Sequence, residues 1–356
     1  MLKLQECSFF LELCSLHLEM ISTDFLNKLY MKAFRLLLAI YVVTLLHSCT
    51  GGPQLMPNIS GKAGEVVVVI NKGDWESEAG AALRGVLAVD QQFLPQREPL
   101  FTMVNIPENA FTSIFQTHRN IIIVKIIASQ QEPKIALQEN VWAAPQIVVT
   151  ISGSDELQIA EIISREQERL RGAMLMAERN RNIQNAKRYE EKSLRAVVTD
   201  EFGGSPYFPK GYSLKKRIED FIWISYETTY TNQGIFIYSF PYRDSTDFFK
   251  ENLITKRNEI LGRNVPGQVE KSYMTTNMLE DTGLKWIRYN KRDFAELRGL
   301  WEVQNDFMGG PFVSHFFIDK ENKNIIALES FVYAPRYDKR NYLRQVESLI
   351  YSFEFF

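Results

Sequence analysis

Apolar residues between positions 65 and 153 fall into short β-branched runs separated by stretches of helical spacing. Glu65-Val-Val-Val-Val-Ile70 is such a run and predicts a buried strand. Asp74 or Ser77 can cap the helix that follows, in which Ala81, Leu83, Val86, Leu87 and Phe93 suit one face; Pro95 ends it. Residues 101–106 predict a second strand, and residues 108–117 a short helix with Phe111, Ile114 and Phe115 inward. Residues 120–127 and 146–151 predict a third and a fourth strand. Strands alternating with helical patterns imply a layered α/β domain over residues 65–153.

From Ser154 the period becomes helical to about Leu194, with Ile159, Ile163, Leu170, Met174 and Ala177 as an apolar stripe and a polar stretch at 179–188. A helix of about forty residues would run about 60 Å. The pattern at 154–195 therefore predicts a long connecting helix, with a partner-binding helix as the sharper reading. Phe202-Gly-Gly-Ser-Pro-Tyr-Phe-Pro209 reads as a linker. Beyond it, residues 217–226, 234–240, 285–290 and 294–303 predict strands, and 246–261 a helix. Residues 313–319 and 325–333 pair across a turn at 320–324, and 337–351 form a closing helix. Residues 205–356 thus predict an α+β domain, an antiparallel sheet flanked by helices. The element order resembles the PsbP/Mog1-like fold, an analogy of architecture alone.

The N-terminus carries a different pattern. Lys32 and Arg35 precede an apolar stretch at 36–46 that ends in Leu46-His47-Ser48-Cys49. This is the layout of a signal peptide over 31–48, and its end resembles a bacterial lipobox. That resemblance implies cleavage before Cys49, lipidation of its thiol and an anchor in the Gram-negative cell envelope. Residues 1–30 then read as an over-extended start, with an amphipathic helix as the alternative, and 49–64 as a tether. No acidic cluster follows Cys49, which favours a periplasm-facing protein.

Composition narrows the classes further. The three cysteines are Cys7, Cys14 and Cys49, so nothing beyond Cys49 can form a disulfide, a thiol nucleophile or a thiolate metal site. A net charge of −2 with both signs interspersed argues against a nucleic-acid partner.

Several phrases resemble the domain-of-unknown-function 4837 family, lipoproteins of Bacteroidetes envelopes. They are Gly61-Lys-Ala-Gly-Glu-Val66, Leu94-Pro-Gln-Arg-Glu-Pro99, Arg119-Asn-Ile121, Asp220-Phe-Ile-Trp223, Phe240-Pro-Tyr242, Gly299-Leu-Trp301, Asp306-Phe-Met-Gly-Gly-Pro-Phe312 and Phe331-Val-Tyr-Ala-Pro335. The resemblance implies an envelope protein and supplies no catalytic residues.

The chemistry on offer is sparse. His118 and His315 are the histidines beyond Cys49, and neither has a metal-ligand partner at a recognised spacing, so no metal or cofactor is expected. There is no Gly-x-Ser-x-Gly elbow, P-loop or dinucleotide fingerprint. Ser314 and His315 are neighbours on a predicted strand and so point to opposite faces. Asp306, Met308, Gly309 and Gly310 mark the best local candidate for a ligand site, since paired glycines can present amides; a tight turn is the plainer reading. Trp223, Trp286 and Trp301, with Tyr226, Tyr238 and Tyr289, could line an aromatic groove for a glycan or peptide. Glu219, Asp220 and Glu227 raise the alternative of a glycan or cell-wall hydrolase, which needs two facing carboxyls. The leading expectation is a binding or assembly lipoprotein with an envelope-protein or glycan partner.

Overall fold

The computed structural model describes residues 31–32, 34–38, 55–321 and 323–356. It divides into two compact units, residues 1–55 and 56–356. In the first, residues 31–32 and 34–38 are helical, with Phe34, Leu36 and Leu37 exposed. The lipobox at 46–49, Cys49 included, and residues 50–54 of the tether lie outside the described residues. No helix among the described residues is long and apolar enough to cross a membrane.

The second unit contains two main sheets. The first is built from β1 (Glu65–Val69), β2 (Thr102–Ile106), β3 (Asn120–Ile126), β4 (Lys134–Glu139) and β5 (Ile147–Gly153), in the order β2-β1-β3-β5-β4. All neighbours are parallel except β4, which lies antiparallel on β5. Both faces are covered, which is why the strands read as unbroken apolar runs. Val66, Val68, Ile122, Val149 and Ile151 pack with residues of α2 (Glu78–Leu87), α4 (Glu156–Arg165) and α5 (Gln167–Arg188). Val67, Val69, Ile121 and Val148 pack with Phe111, Phe115 and Trp142 on the other side. Ser77 caps α2 as expected, accepting from the Ala79 amide, just after the short α1 (Lys72–Glu76).

Some local expectations are corrected. The helix expected at 108–117 is a 3-10 turn at Glu108–Ala110 followed by α3 (Ser113–Gln116), and Ile114 faces solvent while Phe111 and Phe115 are half-buried. One turn cannot aim three apolar side chains the same way. Strand β4 had no signature because it is an edge strand whose side chains are mostly exposed. The forty-residue helix is three helices. Chain α4 stops at Glu166, α5 stops at Tyr189, and α6 spans Lys192–Phe202. At the second break the Glu191 amide donates to Phe208 and the Lys210 amide to Tyr189, so a distant segment takes over the backbone bonds.

The second sheet comprises β7 (Ser213–Ile218), β8 (Phe221–Glu227), β9 (Asn232–Pro241), β10 (Tyr273–Thr276), β11 (Gly283–Tyr289), β12 (Arg292–Gln304), β13 (Gly309–Ile318) and β14 (Asn324–Tyr333). Its order is β10-β12-β13-β14-β9-β8-β7, with β11 also on β12, and every pairing is antiparallel. The strand expected at 217–226 is a hairpin, β7 and β8, turning at Glu219 and Asp220, where Asp220 has φ +59. Alternation divides the side chains between two cores. Phe236, Ala295, Leu297, Phe312 and Phe331 share a cluster with Leu253 and Leu261 of α7 (Lys250–Asn264). Ile235, Ile237, Phe294, Val313 and Leu328 share one with Val198 of α6 and Leu343, Val346 and Ile350 of α8 (Arg340–Tyr351). The result is an α+β layer with helices on both faces. The segment read as a linker at 203–205 is instead partly a buried strand, β6 (Gly204–Ser205), paired with β15 (Glu354–Phe355).

Polar contacts join the two halves. Glu98, buried in the loop after α2, accepts from the Lys339 amide at 2.6 Å and the Arg340 amide at 2.9 Å, and so caps α8 from a segment 241 residues away. Asn182 of α5 reaches Ser348 Oγ of α8 at 3.2 Å. These contacts bring the β11–β12 edge and α8 opposite α5.

Candidate functional site

The gap left between α5, the 89–93 loop, the β11–β12 edge and α8 is a cleft of about 730 Å³. Its floor is an ionic network placed by two simple periodicities. Glu296 and Arg298 are two apart on β12 and share a face; Arg344, Glu347 and Tyr351 stand on one side of α8. Arg298 donates through Nε to Glu296 Oε1 at 2.7 Å and through Nη2 to Glu347 Oε1 at 2.5 Å. The Tyr351 hydroxyl donates to Glu296 Oε2 at 2.7 Å. Lys285 Nζ lies 3.5 Å from Glu296, and the Arg179 guanidinium stacks 3.5 Å above the Tyr351 ring.

Burial would raise the Glu296 pKa, but the charge and hydrogen bonds of Arg298 outweigh it and hold the carboxyl well below its usual range. Arg298 is likewise held strongly charged, since Glu296 and Glu347 overcome the desolvation that opposes it. His315, the cross-strand partner of Glu296, is fully buried against Phe294 and Tyr351. Its Nε2 sits 3.4 Å from Glu296 without hydrogen-bond geometry, and neither ring nitrogen has a protein partner. Desolvation lowers its pKa to about 4, so the imidazole is neutral at neutral pH. A carboxylate already saturated by an arginine and a tyrosine suits a rigid binding floor better than proton transfer.

The opposite face of β13 carries a second buried pair. Arg257 of α7 forks onto Glu329 at 2.8 and 2.7 Å, both side chains fully buried, and Ser314 donates to Glu329 at 2.8 Å. Ser314 and His315 therefore serve different networks on different faces, as the strand period requires. His118 is bonded to Glu65 Oε1 at 2.9 Å and to the Asn120 carbonyl at 3.0 Å. Among the described residues no group of three His, Cys, Asp or Glu could hold a metal ion.

The residues singled out in the sequence lie elsewhere. Asp306 sits in the turn joining β12 to β13, with its amide on the Val303 carbonyl. Met308 packs half-buried against the core beneath α7. Gly309 and Gly310 open β13, in register with Glu302 and Trp301 of β12. A Cβ on Gly309 would lie 2.8 Å from the Trp301 carbonyl, and one on Gly310 would lie 2.1 Å from the Val332 carbonyl, so these glycines let backbones approach. Trp223 packs on Phe236, Phe236 on Phe331 and Phe331 on Trp301, at centroid distances of 5.5, 4.7 and 5.7 Å. That ladder is core, with the Trp301 indole bonded to the Val332 carbonyl. Trp286 is 61% exposed on the edge strand, beside Phe248. The three tryptophans thus form no common groove. Tyr226 lies against Tyr212, Tyr238 is buried, and Tyr289 packs on Tyr351. Glu219 and Asp220 lie at one end of β8 and Glu227 at the other, about 20 Å apart by strand rise. They form no facing pair.

Sequence reading passed over Glu296, Arg298, Arg344, Glu347 and Tyr351. A signal was present: two opposite charges at i and i+2 in an otherwise apolar strand pattern, Phe294-Ala-Glu-Leu-Arg-Gly-Leu-Trp301.

Fold and cleft define a mixed α/β body with two helix-covered sheets and an ionic cleft between them. Residues 191–352 match the family model described as Domain of unknown function (DUF4837), the family that the sequence phrases resemble. Residues 59–187 match a second, Domain of unknown function (DUF8532), which takes in the family-like phrases at 61–66, 94–99 and 119–121. No curated protein matches the chain. A crystal structure from Bacteroides thetaiotaomicron is similar at 14% identity and a TM-score of 0.25, over 44% of this chain; the match spans 46% of that structure's length.

Proposed function

We propose that this chain is a lipid-anchored protein of the Gram-negative cell envelope, periplasm-facing, whose body binds a ligand or an envelope protein. The observation that carries the reading is the run from Lys32 and Arg35 through the apolar stretch to Ser48-Cys49. Exposed apolar side chains on the described helical residues at 34–38 are consistent with a segment removed or buried in lipid. The binding role is supported by the cleft, whose floor is fixed by mutual ion pairs instead of holding a free acid–base pair. Two acyl chains would anchor firmly at about 0.8 kcal/mol per buried CH₂.

Growth with an alkyne-bearing fatty acid tests the anchor. The expected result is a labelled product in the membrane fraction, and loss of label in Cys49→Ala. An unlabelled, cytosolic wild-type product overturns it.

A further inference from the structure

We infer that a small pocket where α5 and α8 meet the β8–β9 pair binds one ring of a neutral saccharide. It is a site apart from the cleft, with which it shares no bordering residue, and it does not depend on the anchor. Local periodicity supplies each wall. Asn182 and Asn185 are three apart on α5, and Gln345 and Leu349 four apart on α8, so each pair shares a helix face. Tyr226 of β8 and Gln233 of β9 are direct cross-strand partners and so share a sheet face. Pro209, Lys210 and Tyr212, in the segment leading into β7, border the pocket too. Among the described residues around it, four are amides, two are phenols and Lys210 is the one charge.

The amides are held in fixed senses. Gln233, 4% exposed, uses its amide nitrogen internally, donating to the Tyr342 carbonyl at 2.9 Å and to Gln345 Oε1 at 3.1 Å. That leaves Gln233 Oε1 as an acceptor and Gln345 Nε2 as a donor. Asn182 donates through Nδ2 to Ser348 Oγ at 3.2 Å, which leaves its Oδ1 as an acceptor. Tyr212 is 9% exposed, and its hydroxyl has no hydrogen-bond partner among the described residues. Burial pushes the Tyr212 pKa up, so the hydroxyl stays neutral. Neither this hydroxyl nor Gln233 Oε1 is sealed from solvent. Donors and acceptors therefore stand side by side with almost no formal charge. Sugar hydroxyls match such a set because each both donates and accepts. A nearly buried amide oxygen without a partner gains most when a hydroxyl reaches it, since its desolvation is then offset. The Tyr212 and Tyr226 rings, with centroids 5.8 Å apart, offer the apolar surface that the C–H face of a sugar needs. The pocket volume, about 230 Å³, lies below the roughly 300–1,000 Å³ of drug-sized sites, which limits the occupant to one ring.

Calorimetric titration of the full chain with the methyl glycosides of glucose, galactose, mannose and N-acetylglucosamine tests this, with methyl glucuronide as the charged control. The expected result is saturable binding of at least one neutral glycoside, with a Kd on the order of 1 mM or tighter and below that of the glucuronide. Gln345→Ala removes a donor at an exposed position and should weaken that binding about tenfold. Asn185→Trp, also at an exposed position, should fill the pocket and abolish binding. Both variants should keep the wild-type thermal midpoint. Weaker binding by every neutral glycoside, or a glucuronide that binds at least as tightly, overturns the inference. So does binding that Gln345→Ala leaves unchanged or that survives Asn185→Trp.

Discussion

His315 and Glu329 show how single buried groups set the character of each face of the second sheet. His315 is neutral in the fold with a pKa of about 4, against about 6.5 in an unfolded chain. The unfolded state therefore binds the extra proton between those values, so stability is full above pH 6.5 and declines as pH falls towards 4. The loss should be on the order of 3 kcal/mol. Urea midpoints measured from pH 7.5 to 4.5 check this, and His315→Leu should flatten the slope across that window. Glu296 works in the same direction at lower pH. Its carboxyl is held depressed, so its contribution persists above the unfolded carboxylate pKa and disappears only when acid reaches the folded value. The Arg257–Glu329 pair makes a separate prediction. Arg257→Met strands a buried carboxylate and should cost about 3–5 kcal/mol, whereas adding Glu329→Leu should restore much of it. Equal instability of the single and double variants in guanidinium melts would contradict this reading.

At the scale of elements, the instructive feature is a helix capped from outside its own domain. The first amides of α8 are bonded by Glu98, not by a local Ser, Thr, Asp or Asn. Glu98→Ala should destabilise the protein by about 1–2 kcal/mol and speed hydrogen exchange at Lys339 and Arg340 before the β13–β14 core exchanges. Unchanged protection at those amides would mean the cap is dispensable. Glycines divide by element in the same way. Gly310→Ala forces a methyl against the Val332 carbonyl and should destabilise the β13–β14 pairing in the middle of the sheet. Gly172→Ala, in open space on α5, should stabilise by about 0.5–1 kcal/mol. Thermal midpoints moving in opposite directions are the expected readout.

For the whole molecule, residues 56–356 form one compact unit even though two family models divide it at about position 190. The joint is polar: Glu98 accepts from the Lys339 and Arg340 amides, Arg340 and Arg344 donate to the Pro99 and Leu100 carbonyls, and Asn182 reaches α8. Trp75 and Trp142 report on the first sheet; Trp223 and Trp301 report on the second. Single-tryptophan variants should therefore show coincident urea transitions in the wild-type background and separated ones when Glu98→Ala is combined with Arg340→Ala. Separate transitions already in the wild type would show that the halves unfold independently.

By itself the sequence determined most of the strands and helices, the short or exposed β4, β6 and β10 excepted, because two-residue and 3.6-residue repeats are written locally. It also determined that Ser314 and His315 face apart, and that the chain past Cys49 lacks thiol chemistry. It did not reveal where the 154–194 stretch breaks, since Arg165-Glu-Gln167 contains no Gly or Pro and the second break is made by bonds to residues 208–210. Nor did it reveal the cleft. Glu296, Arg298, Arg344 and Glu347 acquire meaning only when β12 and α8 meet. Local repeats fix the direction of a side chain, while the partner waiting there is chosen by contacts between residues far apart in the chain.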